Sequence, residues 1–107
     1  MVGKIKYSKG FEKYLERLIF QLYRKNYFGF IETCFNYVDK IYIFIEATNF
    51  QLIKKQTPEE LKSKGTHYIK YEANKTTTWY ILFDEFKENY YINYIFNNHQ
   101  EEAKFLK

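Results

Sequence analysis

The last apolar run of this chain stops at two amides and a histidine. In IFNNHQEEAKF, from Ile95 to Phe105, residues Asn97, Asn98 and His99 follow directly on Ile95 and Phe96. An imidazole can take and return a proton near neutral pH, and neighbouring amides can position a phosphate or fix the ring's tautomer. The same residues also make good turns, because an Asn side chain hydrogen-bonds its own backbone two residues on, which would leave His99 in solvent. Both readings stand on residue types alone. Lys70, in the alternating run THYIKYE, can contact phosphate, and Tyr68 beside it can stack or hydrogen-bond without adding charge. Lys54, Lys55, Lys62 and Lys64 surround the segment TPEE and can track a nucleic-acid backbone or remain solvated. Trp79 and His67 share strand faces with Ile81 and Phe83 and with Ile69 and Tyr71, so both are expected in or beside the core.

Other chemistries lack their parts. One cysteine, Cys34, excludes an internal disulfide, and with two histidines in the chain no zinc-ligand pattern arises. There is no phosphate-cradling glycine loop and no nucleophile elbow. No metal and no cofactor are therefore expected. No apolar run approaches the ~20 residues of a membrane span, and MVGKIKYSKG lacks the apolar centre of a signal peptide. A cytoplasmic protein without membrane contact is expected.

The 107 residues suffice for one domain with one core, expected to span 1–107. Aromatic residues make up 22% of the chain, more than stacking on a ligand needs, so most rings are expected to fill the core. Charge is uneven. Residues 1–29 hold seven basic and two acidic groups, whereas 84–102 hold Lys87 against Asp84, Glu85, Glu88, Glu101 and Glu102. That asymmetry implies a dipolar surface whose basic side can meet phosphate.

The elements follow from periodicity. Lys4 to Tyr7 reads as a short strand, closed by Ser8 as cap of a helix that buries Phe11, Leu15, Leu18, Ile19 and Leu22. YRKNYFGF, from Tyr23 to Phe30, reads as the turn of a helical hairpin. A second helix places Ile31, Cys34, Phe35, Val38, Ile41, Tyr42 and Ile45 on its buried face. Thr48 to Gly65 reads as a looser connection, with Thr57, Pro58 and Glu60 as a capping box for a short helical turn. THYIKYE, TWYILFD and YYINYIF then read as three antiparallel strands joined by ANKTT and EFKEN. One face of this meander is expected to meet the helices and the other to stay open for a ligand. The expected architecture is α+β, a helical hairpin on a twisted antiparallel sheet in the order β-α-α-β-β-β.

With this order of elements, the YFGF turn, the segment GTHYIKYEANKTTTWYILFD and the ending YYINYIFNNH, the chain resembles the RelE/ParE superfamily of bacterial toxins from type II toxin-antitoxin pairs. The resemblance implies one of two activities. A RelE-like toxin is a ribosome-dependent endoribonuclease that cleaves messenger RNA without a metal, by attack of a ribose 2'-hydroxyl on the adjacent phosphate. A ParE-like toxin binds and inhibits DNA gyrase. A scaffold of the same fold that only binds a partner is the third reading. For the nuclease the resemblance implies Lys70 as the phosphate-stabilising group, His99 as acid or base and Tyr68 as an assisting residue, with Asn97 and Asn98 holding substrate. Where the pattern carries an arginine early in the next strand, this chain has Thr78, Trp79 and Tyr80. The partners implied are a cognate antitoxin protein and, for the nuclease, the ribosome and messenger RNA.

Overall fold

The computed structural model describes residues 4–25 and 29–106. Strand β1 (Ile5–Tyr7) leads into helix α1 (Lys9–Arg24), followed by α2 (Ile31–Ala47), a single turn α3 (Phe50–Ile53) and a two-residue strand β2 (Lys55–Gln56). A 3-10 segment (Glu59–Lys64) precedes the meander β3 (His67–Glu72), β4 (Thr78–Phe86) and β5 (Asn89–Asn97), and a second 3-10 segment (Glu101–Leu106) follows. The five strands form one sheet in the order β1-β5-β4-β3-β2. Of the hairpin turn expected between the helices, Asn26, Tyr27 and Phe28 lie outside the described residues.

Ser8 caps α1 as its type predicts, its hydroxyl accepting from the Phe11 amide at 3.1 Å. The helix buries Phe11, Leu15, Leu18 and Ile19, while α2 buries Cys34, Val38, Ile41 and Ile45. These side chains pack on Ile69, Trp79, Ile81, Phe83, Ile92 and Ile95 of the sheet. Phe35, expected on the buried stripe of α2, stands 46% exposed. It lies one position beyond Cys34, so the helical turn carries it off the side that meets the sheet.

Four further features depart from the sequence reading. The sheet is mixed, because β1 runs parallel to β5, with Ile5 opposite Tyr90 and Tyr7 opposite Ile92. No turn joins these two strands, so their relative direction follows from how the helices dock. The Thr48–Gly65 connection contains α3 and β2, the latter pairing antiparallel with β3. The capping box does not form: Thr57 is 2% exposed with its hydroxyl unpartnered among the described residues, and the 3-10 segment closes instead from the Leu61 amide to the Pro58 carbonyl. Finally, the sheet face away from the helices is not open. Leu61 and Ala103, one from each 3-10 segment, bury a second small core there with Tyr68, Leu82 and Phe96.

Two close fits fix the sheet. Gly65 passes over β4 so tightly that a Cβ would sit 2.7 Å from the Phe83 nitrogen, a backbone atom that cannot swing aside. Between β4 and β5 the register slips at Leu82 and Phe83, whose partners are Tyr94 and Ile92, leaving Asn93 of β5 as the extra residue of a bulge. Because of that bulge Ile92 and Ile95, three apart, both face the helices, and so does Asn97 opposite Trp79.

Tyr94 supplies a test of how the second core is tied down. Its hydroxyl donates to Glu102 at 2.5 Å, and burial, reinforced by that carboxylate, pushes its phenol up to about 12. Burial and the Glu46 carboxylate likewise raise Tyr7. A phenol whose folded value lies above its unfolded value of about 10 contributes stability that is complete below pH ~10 and lost as pH rises through the folded value. Phenolate absorbance should therefore show a late step near pH 12 that Tyr94→Phe removes, with thermal stability of the wild type falling above pH ~10. A Tyr94→Phe titration identical to wild type would contradict this.

Candidate functional site

At the end of the sheet where β3 turns into β4 and β5 stops, a cavity of about 750 Å³ opens between the strands and the helices. Helix α1 supplies Tyr14, Leu18 and Gln21, its C-cap residue Lys25 follows at spacings of four, three and four, and α2 supplies Tyr37. The β3–β4 turn contributes Asn74, Thr76 and Thr77, β4 contributes Trp79, and the end of β5 contributes Asn97, His99 and Gln100. Trp79 is only 2% exposed, and its indole N–H donates to the Tyr37 hydroxyl at 2.9 Å, tying α2 to the sheet behind the cavity.

The turn after β5 is held by its own side chains. Asn97 Oδ1 accepts from the His99 amide at 2.9 Å, the Asx turn that the residue types allow. Gln100 Oε1 accepts from the Asn97 amide and from the Tyr14 hydroxyl, both at 3.0 Å, which ties this turn to α1. Asn98 spans to the other turn: its Oδ1 accepts from the Thr78 amide at 2.9 Å and its Nδ2 donates to the Thr76 carbonyl at 3.0 Å. Both ends of the Asn98 amide are thus occupied, so it acts as a clamp. Asn98→Ala should destabilise the fold by about 1–2 kcal/mol, two modest hydrogen bonds, in a denaturant titration; an unchanged midpoint would refute the clamp. His99 is exposed, with Nε2 3.5 Å from the Thr77 hydroxyl.

Lys25 brings a positive charge to the lining of this cavity, and among the described residues no carboxylate lines it. The acidic residues after Gln100 are engaged elsewhere, Glu102 with Tyr94 and Glu101 with Lys104 at 3.6 Å. Burial raises the phenols of Tyr14 and Tyr37, Glu102 adding to the first, so both remain neutral donors at physiological pH.

The other residues singled out in the sequence lie apart from this cavity. Lys70 is exposed on β3 opposite Tyr80, a register position on the sheet face away from the helices. Tyr68 is 9% exposed on that same face, edge-on to Tyr80 at 6.1 Å, and burial raises its phenol. Lys70 and Tyr68 are thus separated from His99 by the sheet. Lys64 lies 4.7 Å over the Tyr94 ring, and Lys55 and Lys62 are exposed. Lys54 pairs with Glu85 at 2.8 Å, and that hydrogen bond holds the Glu85 carboxyl below its ordinary range. His67 is half-buried, stacked on Phe83 with Nδ1 3.0 Å from the Thr66 hydroxyl.

Comparison with protein-family models, with curated proteins and with solved structures finds no match to this chain.

Among the described residues no three His, Cys, Asp or Glu side chains gather to hold a metal ion, and no helix is long and apolar enough to cross a membrane. Lys25, Tyr14, Gln21 and Gln100 are site residues that the sequence reading passed over. A signal existed in α1, where Gln21 and Lys25 extend the line of Tyr14 and Leu18 past the buried stripe.

Proposed function

We propose that this chain is the toxin of a RelE/ParE-like type II toxin-antitoxin pair and that it cleaves messenger RNA on the ribosome at the cavity beside His99. One observation carries the reading. Thr76, Thr77 and Trp79 of the TTTW segment and Asn97 and His99 of the NNH segment, about twenty residues apart in the chain, line the same cavity with Lys25. In the chemistry proposed, the His99 imidazole takes the proton of a ribose 2'-hydroxyl, whose oxygen bonds to the adjacent phosphorus while the bond from phosphorus to the 5'-oxygen breaks. The leaving oxygen takes a proton from water, and the Lys25 ammonium offsets charge gathering on the phosphoryl oxygens. No metal is required by this scheme. Lys70, across the sheet, is left with phosphate contact alone, together with Lys55, Lys62 and Lys64.

The test is induction of the gene in bacteria, following growth, transcript 5' ends and plasmid supercoiling together. New ends within codons support the nuclease; arrested growth with intact transcripts overturns it. In purified ribosome assays Lys25→Met should lower cleavage about tenfold or more, as expected for losing a charge-assisted contact to the reacting phosphate, whereas Lys70→Met should change it less than threefold. The reverse order would move the site to the other face of the sheet.

A ParE-like binder of gyrase is the second reading. It is favoured by Phe35 and Ile43, 46% and 64% exposed on α2, an apolar surface of the kind protein partners cover. Changed supercoiling with intact transcripts would select it, and normal growth with abundant folded protein would select a scaffold that only binds a partner.

A further inference from the structure

Three residues that line the cavity, Asn74, Asn97 and Gln100, have side-chain amides whose oxygens are already taken. Asn74 Oδ1 accepts from the Thr76 amide and hydroxyl and from the Thr77 amide, at 2.9, 3.0 and 2.9 Å. Asn97 Oδ1 holds the His99 amide, and Gln100 Oε1 holds Tyr14 and the Asn97 amide. Their NH2 groups make no hydrogen bond among the described residues, so each amide is fixed by its acceptor end and left with donors. Lys25 adds three further donors and no acceptor, and among the described residues no carboxylate in the lining balances them. A lining of this kind fits a ligand rich in acceptors, above all an anion. The volume of about 750 Å³ is far more than one inorganic phosphate fills and lies in the range of sites for small organic ligands.

We infer that the cavity is a mononucleotide pocket. Lys25 and the Asn97 and Gln100 NH2 groups take a phosphate monoester, and Asn74 with the Tyr14 ring takes the attached nucleoside. This deepens the proposed function and takes its site from that reading, but binding does not depend on cleavage.

The experiment is a titration of the intact protein with adenosine 3'-monophosphate, adenosine and inorganic phosphate, read by calorimetry and by NMR of the side-chain NH2 signals. Adenosine 3'-monophosphate should saturate and shift the Asn74, Asn97 and Gln100 signals, with adenosine binding about tenfold or more weakly because it loses the charge-assisted bonds, and phosphate about tenfold or more weakly because it loses the nucleoside contacts. Lys25→Gln, at an exposed position, should weaken the nucleotide about tenfold and leave adenosine unchanged. Equal binding of adenosine and its 3'-phosphate, shifts confined to signals near Lys64 and Lys70, or no binding at all would each overturn the inference. Nucleotide binding without cleavage of any transcript would retain the pocket and reject the nuclease; cleavage without nucleotide binding would do the opposite.

Discussion

His99→Gln should lower ribosome-dependent RNA cleavage by about a hundredfold to ten-thousandfold, the range for removing a general base, and should relieve growth arrest on induction. Glutamine keeps hydrogen-bonding capacity at the position but cannot carry the proton. The fold should not change: the imidazole is exposed, its 3.5 Å approach to Thr77 is long, and the turn is built from the backbone amide of residue 99 on Asn97 Oδ1. The unfolding midpoint should therefore stay within about 0.5 kcal/mol of wild type, as for other surface substitutions. A loss in kcat with KM unchanged is expected of a group whose contribution arises in the transition state. If His99→Gln cleaves as fast as wild type, the imidazole is a turn residue and the cavity has no acid-base role. If kcat is kept and KM rises, His99 binds without moving the proton.

How much of this was legible depends on whether the signal was local. The buried face of α1, its Ser8 cap and the three strands of the meander rest on patterns complete within a few residues, and the sequence carries them plainly. The direction of β1 depends on partners some eighty residues away, and the two-residue β2 is too short to show a period. Thr57 carries the signature of a capping box, but β2 joins β3 through that point, and its amide binds the Thr66 carbonyl at 3.0 Å, so the sheet overrides the local preference. The site was half visible for the same reason. NNH announces a turn with a histidine, yet alternation cannot tell which face Asn97 takes, because the Asn93 bulge resets the phase. Pairing His99 with Lys70 required both on one side of the sheet; strand register places Lys70 with Tyr80 and Phe96, on the far side. In the sequence Lys25 is one more basic residue of the hairpin turn, and only the packing of α1 on β5 brings it to the cavity.

Trp79 should separate the stability of the cavity from its chemistry. Trp79→Ala removes a side chain 2% exposed, packed edge-on to Tyr14 at 6.4 Å and bonded to Tyr37 from the middle of the main core. Truncating so large a ring costs about 3–5 kcal/mol, a large part of the roughly 5–15 kcal/mol that holds a small domain folded. Much of this variant should be unfolded or degraded in cells, and its lost toxicity would say nothing about the site. Trp79→Phe is the informative change. It keeps an aromatic ring against Tyr14 but deletes the N–H, so the cost should fall to about 1–2 kcal/mol and the protein should still fold. The Tyr37 hydroxyl then loses the donor that draws α2 onto β4, and the part of the cavity wall that α2 supplies loosens. Cleavage should drop several-fold more than the small folding loss explains, with weaker nucleotide binding and an unchanged far-ultraviolet spectrum. Full activity in a folded Trp79→Phe protein would mean that α2 does not shape the site, and the working surface would then be the strand ends and α1 alone.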